Sequence, residues 1–357
     1  MNPYPTEFER PSAPIEGRFA WTADDLERDD SWCISLDAAH IDGLEQALAV
    51  ADERGITTFH EDAAQVPLSG WETLIPHIRD SLEDGRGMVL LRGLPIERYT
   101  DEQAYLIYWL ISSHLGTPIV QNARGELIGE VRDRGFDYQA NNVRGYNTKA
   151  ELRPHCDPSD CVGLLCVHPA KSGGESKVVS AVSIFNRIFE HEPELVDPLL
   201  NGFHFDLRGE GVTSDPNEVT FHRVPIFSYY AGYLSCRFNV RTAVDGMRKG
   251  GVEMTGLEQR AIARLNELAT DPEFIFPMTF ERGDIQLLSN HSILHARDEF
   301  EDFDEPERKR RLLRVWLNFL DGRPLADRFA DRFNTGPRNG IKVQEGAGYW
   351  VRGNVQS

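Results

Sequence analysis

His155-Cys156-Asp157 places an imidazole and a carboxylate two residues apart. On an extended backbone alternate side chains share a face, so His155 and Asp157 project together while Cys156 turns away. Such a pair supplies two corners of a three-ligand metal face. The stretch NHSILHAR (290–297), directly after a predicted strand, offers the third corner as either His291 or His295. Two histidines and one carboxylate, with the other coordination positions open, form the ligand set of non-haem Fe(II) oxygenases. H-x-D alone is common by chance, and what adds weight is a basic strand nearby. RRLLRVWLN (310–318) reads as that strand. Arg310, Leu312, Arg314 and Trp316 share one parity, and Arg311, Leu313, Val315 and Leu317 share the other. Two arginines on an apolar face are costly if buried alone, but they suit a face that lines a pocket for carboxylates. The acidic run EDFDEPE (301–307) is the competing partner for both.

These residues need elements to hold them. Leu74, Ile78 and Leu82 recur at four-residue steps between Glu72 and Asp84, as one helix face requires. The run GMVLLRGLP (87–95) reads as a buried strand closed by Gly93 and Pro95. Thr100 with Gln103 and Thr255 with Glu258 are capping boxes that open helices, and a further helix is expected around 37–54. LLCVH (164–168), DIQLLSN (284–290) and LLRVWLN (312–318) read as strands. VPIFSYYAGYLSCRFN (224–239) reads as a hairpin with its tip at Ala231-Gly232. Strands at such irregular intervals, without βα alternation, disfavour a doubly wound parallel sheet. They fit a mainly β chain with flanking helices, built on an antiparallel barrel or jelly roll. No repeat or long linker divides the chain, so residues 1–357 read as a single domain. Within it, 1–85 form an N-terminal arm and helices, 86–325 the β core, and 326–357 a C-terminal tail. The polar segment 129–153, just before His155, reads as a lid. The tail carries Tyr349, Trp350 and Val351, apolar enough to fold back on the body.

Composition narrows the partners. With 40% hydrophobic and 27% charged residues over 357 positions, the chain can bury a large core and is not disordered. A net charge of −19 repels phosphate backbones, which argues against nucleic acid. No window is long and apolar enough for a membrane helix, and the first residues lack the features of a secretory signal. The five cysteines have no framework spacing and read as reduced thiols, so a cytoplasmic location is expected. Only six of the basic residues are lysines. The arginine bias has a compositional explanation, so each arginine must be argued singly.

The ordered set HCD (155–157), SGGES (172–176), GDIQLLSNHSILHAR (283–297) and RKRRLLRVWL (308–317) resembles the taurine dioxygenase and clavaminate synthase-like family. The resemblance runs from about 85 to 325. It implies an Fe(II)- and 2-oxoglutarate-dependent oxygenase, consuming O2, on a double-stranded β-helix (a cupin-like jelly roll). It implies iron held by His155, Asp157 and His295, because the position of His291 is often arginine in the family. It also implies that Ser176 touches the 2-oxoglutarate carboxylate and that Arg310 grips its far end. Arg314 matches an arginine that faces either the primary substrate or the cosubstrate. The chain departs from the family pattern in three places: fourteen residues separate His295 from Arg310, Arg311 stands where histidine is frequent, and Ser176 where threonine is usual.

The expected reaction is oxidation, foremost hydroxylation, of an unactivated C–H in a small carboxylate-bearing molecule such as an amino acid or natural-product intermediate, with release of succinate and CO2. Desaturation, cyclisation and epimerisation start from the same chemistry, and the sequence does not separate them. Two rivals lie outside it: a β-barrel that binds a small acid without turnover, and a structural zinc site recruiting Cys156 or Cys161. Arg237, Asn239 and Arg241, on or just after the second hairpin strand, are candidate substrate contacts weighed against surface ion pairing. A homo-oligomer is compatible with all of this.

Overall fold

Leu313, Val315 and Leu317 turn to one side of strand Arg311–Asn318, and Leu312, Arg314 and Trp316 to the other. That alternation sets the architecture. In the computed structural model, which describes residues 9–136 and 145–344, the first set packs into a core with helices Ala38–Arg54, Leu74–Glu83 and Asp101–Leu115. Burying each such side chain contributes about 1.5–3 kcal/mol. The second set faces the interior between two sheets.

The larger sheet runs in the order Cys33–Ser35, Met88–Arg92, Ile285–Ser289, Cys161–His168, Arg311–Asn318, Thr117–Ile119, with Ile128–Val131 also pairing Arg311–Asn318. Apart from the parallel pair Cys33–Ser35 and Met88–Arg92, its ladders are antiparallel. The smaller sheet runs Ile275–Met278, Ser176–Ser180, Ile293–Arg297, Leu152–His155. The sheets form the expected jelly roll, flanked by helices. Helices Ala181–His191, Val196–Asn201, Val240–Lys249 and Gly256–Leu268 build a second core against Val179 and Leu294.

The capping boxes at Thr100 and Thr255 open their helices as the sequence predicts, and Leu74, Ile78 and Leu82 are the buried face of theirs. The hairpin pairs Phe227–Tyr230 with Tyr233–Cys236 through Ala231 and Gly232, both at positive φ. Two consecutive left-handed residues are what a two-residue hairpin turn with the right twist requires.

Two expectations change. Strand Arg311–Asn318 begins between the two starts read from the sequence, Arg310 and Leu312, and its register against Cys161–His168 shifts between Arg311 and Leu312, so Arg310 enters from the preceding loop. The lid segment is not structureless: Ile128–Val131 is a strand of the large sheet, Gly145–Asn147 a 3-10 turn, and Leu152–His155 a strand. Residues 137–144 lie outside the described residues. Just after the second hairpin strand, Asn239 caps helix Val240–Lys249, which carries Arg241. The tail folds back as far as Ile341, which is buried, and Gln344, whose amide donates to Ala123 O (2.9 Å). Tyr349, Trp350 and Val351 lie outside the described residues.

Candidate metal centre and cleft

His155 and His295 are cross-strand partners in the small sheet, with ring centroids 4.4 Å apart. Asp157 follows just past the end of its strand, where Asn290 Oδ1 accepts its backbone N–H (2.9 Å). One donor atom from each of His155, Asp157 and His295 lies within 4.8 Å of the others, and no other such group occurs among the described residues. His155 Nδ1 meets Arg153 O at 2.8 Å, a contact that fixes the ring and turns Nε2 to the site. Cys156 packs away from the centre, beneath Phe238 and Cys236. Cys161 is buried, and neither thiol joins the cluster, so the zinc alternative lacks a fourth ligand here.

The large sheet grips the carboxylate from the other side. Trp316 Nε1 donates to Asp157 Oδ2 (2.9 Å), and Arg314 Nη1 lies 3.5 Å from the same oxygen. Burial alone would raise the Asp157 carboxyl. Arg314, the two histidines and the indole together hold it well below the usual carboxylate range. Burial pushes His295 down to about 3, helped by His155. Histidines held neutral beside an ionised carboxylate are in the protonation states that metal ligation requires.

The other histidine of the NHSILHAR stretch has a different role. His291 Nε2 lies 3.0 Å from Asp160 Oδ1, deep in the core. Asp160 also takes Arg332 Nη2 (3.0 Å), the Phe319 amide (2.9 Å) and Arg338 Nη1. This network ties the C-terminal segment to the jelly roll. Sequence reasoning missed it because its partners lie 131 to 178 residues from Asp160.

Arg310 is 4% exposed, and among the described residues no carboxylate lies within ion-pair distance of its guanidinium. Its backbone N–H donates to Asp302 Oδ1 (2.7 Å), so the acidic run meets its main chain only. Its side chain lies over the Phe300 ring at 5.0 Å, and buried Nη1 has no partner. Burial pushes this cation down to about 10. The SGG turn makes room for it: Gly174 has φ 75°, and a Cβ there would sit 3.3 Å from Arg310 Nε and 3.2 Å from Phe300 Cβ. Ser176 is buried and shares a hydrogen bond with Gln286 (3.1 Å). A buried, uncompensated guanidinium in a chain that also carries a metal-ligand cluster suits the distal carboxylate of a 2-oxo diacid. The residues present therefore fit both iron and 2-oxoglutarate.

Arg314 is already engaged. Gln121 Oε1 accepts its Nε (2.7 Å) and Gln121 Nε2 donates to its carbonyl (2.7 Å), while its guanidinium lies 4.3 Å from the Tyr146 ring and 4.8 Å from that of Trp316. Its ionic partner is Asp157, not the acidic run. Arg311 faces outward to Asp101 (2.7 Å). A cleft of about 560 Å³ opens over the cluster, lined by His155, Asp157, Arg314, Tyr146, Arg237 and Phe333 among others. Gln121 and Tyr146 are contributors that carried no sequence signal, while Asn290 opens the NHSILHAR stretch.

Comparison with known proteins agrees with this geometry. The model of the family described as taurine catabolism dioxygenase TauD, TfdA family, matches residues 54–316. The FR-33289 synthase of Streptomyces rubellomurinus is 34% identical over 314 residues, covering 87% of this chain and 92% of the relative. Among solved structures, asparagine oxygenase with Fe(II), 2S,3S-3-hydroxyasparagine and succinate aligns with TM-score 0.59 at 16% identity, covering 80% of this chain and 93% of that one. The non-heme iron oxygenase OrfP with Fe and alpha-ketoglutaric acid gives 0.59 at 16%, covering 80% and 94%. The chain belongs to the TauD/TfdA family and is a non-haem Fe(II)- and 2-oxoglutarate-dependent oxygenase.

Proposed function

We propose that His155, Asp157 and His295 hold the iron, that Arg310 and Ser176 hold the far carboxylate of 2-oxoglutarate, and that a small anionic molecule is hydroxylated in the cleft. Two observations carry this reading: the convergence of three donor atoms within 4.8 Å, and a buried arginine that lacks a counterion. Bound iron with 2-oxoglutarate and O2 supplies the oxidising power to break an unactivated C–H bond, releasing succinate and CO2. The chain's own residues supply placement. Trp316 and Arg314 fix the Asp157 carboxylate, and Gln121 fixes Arg314, whose Nη2 is buried without a partner. A cleft of about 560 Å³ suits a small molecule and confines the target hydrogen near the metal.

An amino acid or a derivative of one is the substrate class we favour. The solved relatives crystallised with hydroxyasparagine and hydroxy-arginine support it. The relative named FR-33289 synthase supports a substrate on a synthetic route. The net charge of −19 speaks against a nucleic-acid partner, and no described helix is long and apolar enough to cross a membrane. Five free cysteines support a cytoplasmic location, and we take 1–357 to act as one oxygenase domain. The test is anaerobic loading with Fe(II), then succinate release in O2 across a panel of amino acids and their acylated or phosphorylated derivatives. Substrate-stimulated succinate equal to oxidised product supports the reading. A protein that binds the acids but releases no succinate under any condition would overturn it in favour of a binding module.

A further inference from the structure

Phe238 bonds twice to the residue between the two N-terminal metal-ligand candidates. Cys156 N–H donates to Phe238 O (2.9 Å), and Phe238 N–H donates to Cys156 Sγ (3.0 Å). Arg237 is thereby fixed beside the His155–Asp157 corner, and its side chain lines the same cleft. Its guanidinium lies 4.5 Å from the Phe205 ring, and Nη2 donates to Arg332 O (2.9 Å). Nη1 is buried with no partner, and among the described residues no carboxylate lies within ion-pair distance of Arg237.

Three acids nearby have other partners or lie too far to pair. Asp206 binds Lys249 Nζ through both oxygens (2.9 and 2.8 Å), and Asp157 faces Arg314 and Trp316. Asp331, whose charge favours the Arg237 cation, lies beyond ion-pair distance and accepts from Gly336 N–H (3.2 Å). Burial, then the charge of Arg332, push the Arg237 guanidinium down to about 9, the mark of a cation that the fold does not compensate. Arg314 differs, with Asp157, Gln121 and two aromatic rings around it. In a chain of net charge −19, an arginine left without a counterion in a ligand cleft calls for one from outside.

We propose that Arg237, rather than Arg314, is the residue that recognises the primary substrate, through an oxyanion group (carboxylate, sulfonate or phosphonate) carried at the end away from the carbon that is oxidised. This rests on the reading of the cleft as the substrate site. The planar guanidinium offers a fork to any of the three oxyanions. Phe205, with its ring 4.5 Å from the guanidinium, limits the freedom of that group. Specificity then depends on the distance between the anion and the reacting C–H.

The test uses the full chain loaded anaerobically with Fe(II) and saturated with 2-oxoglutarate, so that Arg310 is already filled. Acetate, methanesulfonate and methylphosphonate serve as probes, titrated by calorimetry; which of them binds identifies the oxyanion. At least one should bind the wild type. Arg237→Gln, which keeps a donor for Arg332 O, and Arg237→Ala should each weaken it about tenfold or more, with Arg237→Lys intermediate. The 2-oxoglutarate affinity of all three variants should stay within about twofold of wild type, which also shows them folded. Equal probe affinity in Arg237→Gln and wild type, loss confined to Arg314→Ala, or no probe binding at all would overturn the assignment. Failure of the wild type to bind 2-oxoglutarate would instead remove the functional reading beneath it.

Discussion

Replacing Arg310 by alanine should weaken 2-oxoglutarate binding by roughly a hundredfold while leaving the ligand-free fold close to its original stability. The guanidinium is buried and uncompensated, so in the absence of a ligand it contributes desolvation cost and no ion pair. Removing it relieves that cost and leaves a small void, two effects of opposite sign. With ligand present the variant loses a charge-assisted, bidentate contact that contributes on the order of 2–4 kcal/mol. Linkage makes this measurable. At 2-oxoglutarate one hundred times its wild-type Kd, binding stabilises the wild type by about 2.7 kcal/mol, and a hundredfold weaker variant by only about 0.4 kcal/mol. Denaturant unfolding of the Fe(II)-loaded protein, with and without 2-oxoglutarate, reads both numbers. Undiminished stabilisation of Arg310→Ala would refute the assignment and shift it to Arg297, whose guanidinium lies 4.9 Å from the same Phe300 ring.

Arg311→Ala should leave 2-oxoglutarate affinity unchanged and cost under about 1 kcal/mol of stability, because its partner Asp101 is solvent-exposed; the same unfolding assay checks both. Asp160→Ala should destabilise by about 3–5 kcal/mol in urea, since it strands Arg332 and His291 in the core, yet the remaining folded fraction should still bind iron. His291 is held neutral, with its proton affinity pushed down to about 4 by burial, against an ordinary value near 6.5. The unfolded chain therefore binds a proton that the folded one refuses, and stability should fall on acidification from about pH 6.5 toward 4, by up to about 1.4 kcal/mol per pH unit from this group. In His291→Gln that component should vanish from the pH profile of unfolding. A profile identical to wild type would mean that His291 is protonated in the core.

The jelly roll was legible because its punctuation is local. Capping boxes, the Ala231-Gly232 turn and the parity of residues 311–318 each act within a few residues. The convergence of His155, Asp157 and His295 followed from one same-face pair and one post-strand histidine, with family resemblance needed only to choose between His291 and His295. What escaped was tertiary. Arg310 enters from a loop because the register shifts at Arg311, and a shifted register leaves no mark on alternation. The partner of Arg314 is Asp157, which lies 157 positions upstream in sequence, while the acidic run is adjacent and contributes only a backbone contact. Helices Ala181–His191 and Val240–Lys249 went unread although Ala181, Ile184, Phe185 and Ile188, and likewise Val240, Ala243, Val244 and Met247, recur at helical spacing.

The central claim is the identity of the metal ligands, and anaerobic Fe(II) titration in the presence of 2-oxoglutarate tests it most directly. The signal is the charge-transfer absorption of the chelated complex. Wild type and His291→Ala should both develop that band with one equivalent of iron, whereas His155→Ala, Asp157→Ala and His295→Ala should not. A full band in His295→Ala together with its loss in His291→Ala would contradict the account and put the iron in the buried Asp160 cluster instead.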